Sequence, residues 1–233
     1  MTNITKPLLA EFIGTFALVF VGAGAATALT PTQIVGVALA HGFTLMAMAF
    51  AFGRISGCHI NPAVTIGLAA SRRFPMSRVF PYIVVQLAGA IVAAFALLVV
   101  FGGPVHNLGA TTINLSRTTI GGGFLLEAIG TFFLTTVVLM TAVDKEGTPS
   151  APFAIGMTLA VCILCFGPLT GASLNPARTV GPAIASGDYA FIQVYIAAQV
   201  MAGIVAGVLY RFFWSQLPEI NKVQPQHNRT ANV

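Results

Sequence analysis

Six long apolar segments follow one another along the sequence, and few folds can accommodate them. A helix needs about 20 apolar residues to cross the hydrocarbon core of a bilayer, and each segment approaches that length. Only 7% of the 233 residues are charged, whereas a soluble domain carries about 25%. We therefore predict an all-α membrane protein with six transmembrane helices. The six segments cover about residues 8–28, 34–53, 80–102, 122–143, 152–168 and 190–213.

Two further apolar stretches, about residues 62–70 and 176–186, are too short to cross a bilayer. Backbone that enters the membrane without spanning it must line a cavity or be buried in protein. We therefore predict that both stretches are re-entrant half-helices.

Basic residues are distributed unevenly over the connections. The loops at 29–33 and 103–121 carry only Arg117. The other polar connections and the two ends of the chain hold Lys6, Arg72, Arg73, Arg78, Lys145, Arg211, Lys222 and Arg229. The positive-inside rule then places both termini in the cytoplasm, on one side, as six spans require. The net charge of +5 is thus assigned to topology rather than to nucleic-acid binding.

An internal repeat organises the chain. Residues 9–20, LAEFIGTFALVF, match residues 125–136, LLEAIGTFFLTT, and residues 56–67, SGCHINPAVTIG, match residues 170–181, TGASLNPARTVG. Each half contains three spans, an odd number, so the second half must cross the membrane in the opposite orientation. Inverted repeats place the functional site near the midplane, in broken helices at their interface.

The predicted organisation is a single channel domain over residues 1–233. The first repeat occupies about residues 8–102, the second about residues 122–213, and a polar cytoplasmic tail covers residues 214–233. The expected location is the plasma membrane of a prokaryote.

Both short segments begin with the same tripeptide, at Asn61-Pro62-Ala63 and Asn175-Pro176-Ala177. Asparagine is a favoured N-cap, and proline is favoured at the first helical position. Two helix starts that meet from opposite faces would present two amide donors and two positive dipole ends to one passage. Such a passage suits a neutral hydrogen-bonding solute and repels cations, including protons.

These motifs resemble those of the major intrinsic protein family, the aquaporins, over essentially the whole chain. The segments SGCHINPAVT and GASLNPARTVGPA and the pair AEFIGTF and LEAIGTF carry the resemblance. It implies six helices and two half-helices around one pore per subunit, assembled as a homotetramer in a lipid bilayer. It also implies passive conduction of water and small neutral solutes, without a cofactor and without enzymatic activity.

The resemblance further implies a four-residue selectivity filter on the extracellular side, formed by His41, Ile163, Ala172 and Arg178. This set differs from that of common water channels. It also differs from that of glycerol facilitators, which have aspartate where Thr179 stands. It is similar to the filters of plant tonoplast intrinsic proteins and mammalian ammonia-permeable aquaporins. We therefore expect a water channel, with ammonia and hydrogen peroxide as further candidate solutes.

Other site residues follow from the same resemblance. The carboxylates of Glu11 and Glu127 are expected to anchor the non-helical loop of their own repeat by accepting backbone N–H groups. The predicted pore-lining residues, several through their carbonyl groups, are Gly57, Cys58, His59, Gly171 and Ser173.

Several alternatives stay open. His41 is also explained as a packed helix histidine bonded to a backbone carbonyl, and Arg178 as an ion-pair partner. His106 in the external loop is an unassigned candidate for the filter. A polyol facilitator and an ion-coupled secondary transporter are the rival functions. No nucleophile–base pair or cluster of metal ligands is visible in the sequence.

Overall fold

The computed structural model describes residues 4–143 and 147–215, and these form eight α-helices. They are α1 (Thr5–Ala28), α2 (Ile34–Ser56), α3 (Pro62–Ala70), α4 (Met76–Phe101), α5 (Ile120–Val138), α6 (Ala151–Thr170), α7 (Pro176–Ser186) and α8 (Ile192–Leu209). The predicted basic residues Lys145, Lys222 and Arg229 lie outside the described residues.

Six of these helices are long and apolar enough to cross a membrane. This confirms the predicted number of spans, and the all-α fold with it. Single π-helical turns extend α5 through Leu139–Val143 and α8 through Tyr210–Trp214. The helix α4 begins at Met76, four residues before the predicted start, and contains Pro81 as its sixth residue.

The two short helices, α3 and α7, have the predicted bounds, and asparagine caps both of them. The side-chain oxygen of Asn61 accepts the N–H groups of Ala63 and Val64, and that of Asn175 accepts those of Ala177 and Arg178. Each cap satisfies donors that have no partner within their own helix. The local sequence alone therefore determines where both half-helices begin.

The two repeats interlock, because each half-helix packs against a spanning helix of the other repeat. The helix α3 packs on α8, and α7 packs on α4. Glycines permit these close approaches: a Cβ atom at Gly203 would lie 2.4 Å from the carbonyl oxygen of Ala63, and one at Gly181 would lie 2.6 Å from that of Ala90. Small residues of this kind are typical of helix contacts in membranes.

The external loop between α4 and α5 contains a helical turn, Val105–Gly109, that the sequence analysis treated as part of an unstructured connection. His106, Asn107 and Leu108 all have left-handed backbone angles there. The turn packs against α1: Leu108 is fully buried, and His106 Nδ1 lies 2.8 Å from the carbonyl oxygen of Thr27. This packing brings His106 close to the outer end of the bundle interior.

Candidate functional site

Glu11 lies fully buried in α1 and holds the loop that precedes α3. Its carboxylate accepts two backbone N–H groups, from His59 at 2.8 Å and from Ile60 at 2.6 Å. It also accepts the Ser56 hydroxyl at 2.7 Å and the Gln86 amide at 2.8 Å. Four donors thus compensate the burial of this charge, as buried charges require.

Glu127 forms the same arrangement in the second repeat. It accepts the N–H groups of Ser173 at 3.0 Å and Leu174 at 2.9 Å. The Thr170 hydroxyl and the Gln199 amide donate to it at 2.8 and 2.9 Å. The two carboxylates therefore occupy equivalent positions, and each has one loop as its partner.

The loops held in this way have unusual backbones. Gly57, Cys58 and Ile60 have φ angles of +89°, +47° and +40°, and Gly171, Ala172 and Leu174 repeat the pattern at +79°, +46° and +53°. Left-handed angles are rare for residues with a Cβ atom and persist where surrounding contacts determine them. The carboxylate bonds supply those contacts.

The two asparagine caps also link the repeats to each other. Asn61 Nδ2 donates to the carbonyl oxygen of Leu174 at 2.8 Å, and Asn175 Nδ2 donates to that of Ile60 at 2.9 Å. The sequence analysis expected both amide groups to donate into the passage. One N–H of each instead crosses to the opposite loop, because the two half-helix starts lie so close together. Each amide group has a second N–H, and both side chains line the same cavity.

That inner cavity is narrow, with a volume of about 20 Å³, enough for roughly one water molecule. Its polar lining comes from both loops, both half-helices and His41 of α2, and most of its apolar lining comes from the spanning helices. Among the predicted site residues, it is lined by His41, Cys58, His59, Asn61, Ser173, Asn175 and Arg178.

A wider outer vestibule of about 430 Å³ lies beyond this cavity. Ile163, Gly171 and His106 line it, and Arg178 lines both spaces. Arg178 therefore stands at the junction between the vestibule and the narrow passage. Its side chain is only 3% exposed, and Nη1 has no hydrogen-bond partner among the described residues.

His41 and Arg178 contact each other across that junction. His41 Nδ1 lies 2.9 Å from the carbonyl oxygen of Val37, and Nε2 lies 3.4 Å from Nε of Arg178. A carbonyl has no proton to give, so Nδ1 carries the hydrogen; a guanidinium only donates, so Nε2 carries a lone pair. The imidazole is therefore neutral, and both nitrogens are engaged by protein groups.

This geometry changes the expected role of the histidine. The sequence predicts His41 as a filter residue, with a packed, carbonyl-bonded histidine as the alternative. The ring is bonded to a backbone carbonyl and also holds the guanidinium. At the junction, the side chain of Arg178 donates to the imidazole of His41.

Ala172 and Gly57 line neither space, and the same is true of Pro62, Ala63, Pro176 and Ala177 in the two tripeptides. Ala172 is 1% exposed and uses its N–H on the Thr170 hydroxyl. Gly57 ends α2 with a left-handed angle and lies against the His59 ring. Ala172 has only a methyl side chain and Gly57 has none. A role in the passage for either residue therefore rests on its backbone carbonyl group.

His59 and Ser173 occupy equivalent places but differ in what they contact. His59 Nδ1 lies 3.2 Å from the Thr65 hydroxyl, and its ring packs against Phe74 and Tyr82. The Ser173 hydroxyl lies 2.6 Å from that of Thr179. The two equivalent places therefore differ: the first repeat has an imidazole packed against two aromatic side chains, and the second has a small hydroxyl bonded to another hydroxyl.

The sequence analysis missed two buried glutamines that complete the anchors. Gln86 bridges Glu11 and Thr65, and Gln199 bridges Glu127 and Thr179. A further repeat signals them, since residues 82–93, YIVVQLAGAIVA, match residues 195–206, YIAAQVMAGIVA. The tyrosines that begin these two segments donate to the carbonyl groups of Ser56 and Thr170. Residues 4–143 and 147–215 contain no group of three metal-ligating side chains.

Comparisons with known proteins match nearly the whole chain. The family model for the major intrinsic proteins (MIP) matches residues 1–210 of this chain. Aquaporin AqpM of Methanothermobacter thermautotrophicus is 38% identical over 93% of this chain and 100% of its own length. Aquaporin Z of Rhodopseudomonas palustris is 37% identical over 89% and 92%, and aquaporin NIP1-1 of Zea mays is 40% identical over 93% and 79%. The X-ray structure of the aquaglyceroporin from Plasmodium falciparum superimposes with a TM-score of 0.78, at 25% identity, over 91% of this chain and 97% of that one.

Proposed function

The chain belongs to the major intrinsic protein family and is an integral, multi-pass membrane channel rather than an enzyme, and we propose that it conducts water passively while excluding protons and other ions. The supporting observation is the meeting of two capped half-helix starts in the wall of one narrow cavity. Each start carries about half a positive charge. Two of them beside a cavity of about 20 Å³ disfavour any cation.

The proposed filter lies where Arg178 separates the vestibule from the passage. Nη1 is buried without a hydrogen-bond partner among the described residues, and Arg178 lines both spaces, so a molecule at the junction comes close to a fully charged guanidinium. A neutral molecule with a lone pair can accept from it. Ammonium and hydronium carry positive charge, which the guanidinium repels at this short range.

Water, ammonia and hydrogen peroxide all fulfil this requirement, and we propose ammonia and peroxide as the additional solutes. The resemblance of the set His41, Ile163, Ala172 and Arg178 to tonoplast-type filters supports this choice. The relatives named above belong to other groups of aquaporins, so the subgroup is proposed from the filter residues alone. The test is stopped-flow light scattering on proteoliposomes, with protein-free liposomes as the baseline. Water permeability equal to that baseline would overturn the proposed function.

Replacing His41 with phenylalanine is expected to reduce ammonia and peroxide flux more than water flux. A phenyl ring cannot accept a hydrogen bond from Nε of Arg178. The guanidinium therefore loses a contact worth about 1 kcal/mol that holds it in position. Ammonia entry is measured with a pH-sensitive dye inside the vesicles, and peroxide entry with an oxidation-sensitive dye. Phe50→Leu is the control, since Phe50 lies in the same helix with 59% exposure. An equal loss for all three solutes would contradict a role in selectivity.

A polyol facilitator is the second candidate function, because the aquaglyceroporin from Plasmodium falciparum has a similar fold. In this chain Thr179 bonds to Ser173 and Gln199, so its hydroxyl is already used within the protein. We therefore expect glycerol to move far more slowly than water in the same vesicles. Glycerol flux that matches water flux would favour the second candidate. Dependence of the flux on an ion gradient would favour a secondary transporter.

Cys58 provides an independent probe of the passage. Its side chain is 7% exposed and lines the inner cavity. A mercurial bound to the sulfur would therefore occupy a cavity of only about 20 Å³. We expect mercuric chloride to reduce water permeability close to the liposome baseline and Cys58→Ser to resist it. Cys162 and Cys165 remain in that variant as internal controls. Full inhibition of Cys58→Ser would place the sensitive thiol elsewhere.

The assembly and orientation belong to the same proposal. We propose a homotetramer with both termini in the cytoplasm, in the plasma membrane of a prokaryote. The archaeal and bacterial sources of two relatives support the prokaryotic assignment. Cross-linking in native membranes tests the tetramer.

A further inference from the structure

A glycine of α1 lies directly behind the His41 ring. A Cβ atom at Gly22 would lie 2.4 Å from Cδ2 of His41, 2.5 Å from Nε2 and 2.7 Å from Cγ. Side-chain atoms do not approach a Cβ this closely, so the ring occupies space that exists only because residue 22 has no side chain. We call this space the Gly22 recess.

The recess acts together with two hydrogen bonds. His41 Nδ1 is held by the Val37 carbonyl, one turn earlier in the same helix, and Nε2 is held by Arg178. Because the ring packs against α1, it has a single position that satisfies both hydrogen bonds. His41 lines the passage and Gly22 does not, so a ring displaced from the recess moves into the space that it borders.

We propose that Gly22 is a positioning residue of the constriction, which keeps the His41 ring recessed into α1 and thereby sets the width of the passage and the placement of Arg178. The inference rests on the proposed channel function. It adds α1 to the helices that determine selectivity, although α1 contributes no side chain to the predicted filter. The solutes that depend most on the recess are the neutral acceptors wider than water.

The consequence for Arg178 follows from its contacts. With the ring recessed, Nε is bonded to the imidazole, and the buried Nη1 has no hydrogen-bond partner within the described part of the chain. If the ring moved forward, it would narrow the junction and Nε would lose its partner. The recess therefore determines both the width of the junction and which nitrogen of the guanidinium is bonded to the imidazole.

A double-mutant cycle between Gly22 and His41 tests this inference. In proteoliposomes, Gly22→Ala is expected to lower water permeability per channel about fivefold, the equivalent of one hydrogen bond lost at the constriction, and to lower the ratio of peroxide to water permeability. The matched control is Gly24→Ala in the same helix, where an added Cβ would meet only a flexible Leu97 methyl group at 3.1 Å. It should leave both quantities unchanged.

The decisive comparison is made in a His41→Ala background, where no ring remains to be displaced. There, Gly22→Ala should no longer change the water permeability or the peroxide ratio. An equal fall in both backgrounds would mean that Gly22 acts through helix packing and would overturn the inference. If Gly22→Ala alone fails to fold, the double variant decides: recovery of folded protein supports the ring contact, and continued misfolding contradicts it. A wild-type protein without water permeability would contradict the proposed function instead.

Discussion

Replacing Glu127 with leucine is expected to abolish water conduction and to cause the largest loss of stability of any single substitution considered. The change removes the acceptor of four buried donor groups: the N–H groups of Ser173 and Leu174, the Thr170 hydroxyl and the one N–H of the Gln199 amide that does not bond to Thr179. An orphaned buried donor costs about 1–3 kcal/mol, so four cost at least roughly 4 kcal/mol. Removing a buried charge is by itself favourable, but the stranded donors outweigh that gain because they include the backbone of the loop.

The measurement combines stopped-flow permeability with thermal unfolding in detergent, followed by size-exclusion chromatography. Leu125→Ala is the control, since Leu125 lies two residues earlier in α5 and is 57% exposed. Glu11→Leu should reproduce the defect, because Glu11 accepts from the equivalent four donors in the first repeat: two backbone N–H groups, a hydroxyl and an amide. A Glu127→Leu protein that unfolds at the wild-type temperature would show that the loop is held by other contacts.

Replacing Arg178 with valine is expected to open the channel to protons and small cations while water still passes. Valine is the residue at the equivalent place in the first repeat, Val64, which is 2% exposed in α3. We therefore expect α7 to tolerate valine at position 178. A unit charge several ångströms from a passing cation, at an effective dielectric constant of about 20, contributes on the order of 2–4 kcal/mol of repulsion. Losing that barrier corresponds to roughly thirty- to thousandfold in cation passage.

Proton flux is measured with an internal pH-sensitive dye under a potassium diffusion potential, and water flux is measured in the same preparation. Arg178→Lys retains the charge and should keep protons out. His41→Ala removes the imidazole but leaves the guanidinium, so it should also exclude protons. If the Arg178→Val channel remained impermeable to protons, the two half-helix dipoles would be sufficient to exclude them. The proposed role of Arg178 would then be wrong.

The spans and the half-helices were predictable because their determinants are local in sequence. Hydropathy over about twenty residues defines a spanning helix, and the Asn-Pro pairs at Asn61 and Asn175 define two helix starts within a few positions. The ends of α2 and α6 at Gly57 and Gly171 are equally local, since glycine readily adopts the left-handed angle of a C-cap. These features account for the agreement between the predicted and observed helices.

The anchors were predicted only in part. Glu11 and Glu127 were identified as equivalent, whereas Gln86 and Gln199 were missed, although the repeat that contains them is visible in the sequence. A buried glutamine in an apolar helix does not indicate its partner. Only the packing of α4 beside α1, and of α8 beside α5, reveals that each amide reaches a carboxylate.

The sequence by itself determined the number of helices, the inverted repeat, the two capped half-helices and the presence of an arginine without a counterpart in the first repeat. The tertiary structure alone decided which groups meet at the constriction. Arg178 and His41 are 137 positions apart, and the recess that receives the ring belongs to a third helix. Caps and hydropathy act within a few residues along the chain. The width and chemistry of a passage depend on contacts between distant helices, which are fixed only when the chain packs.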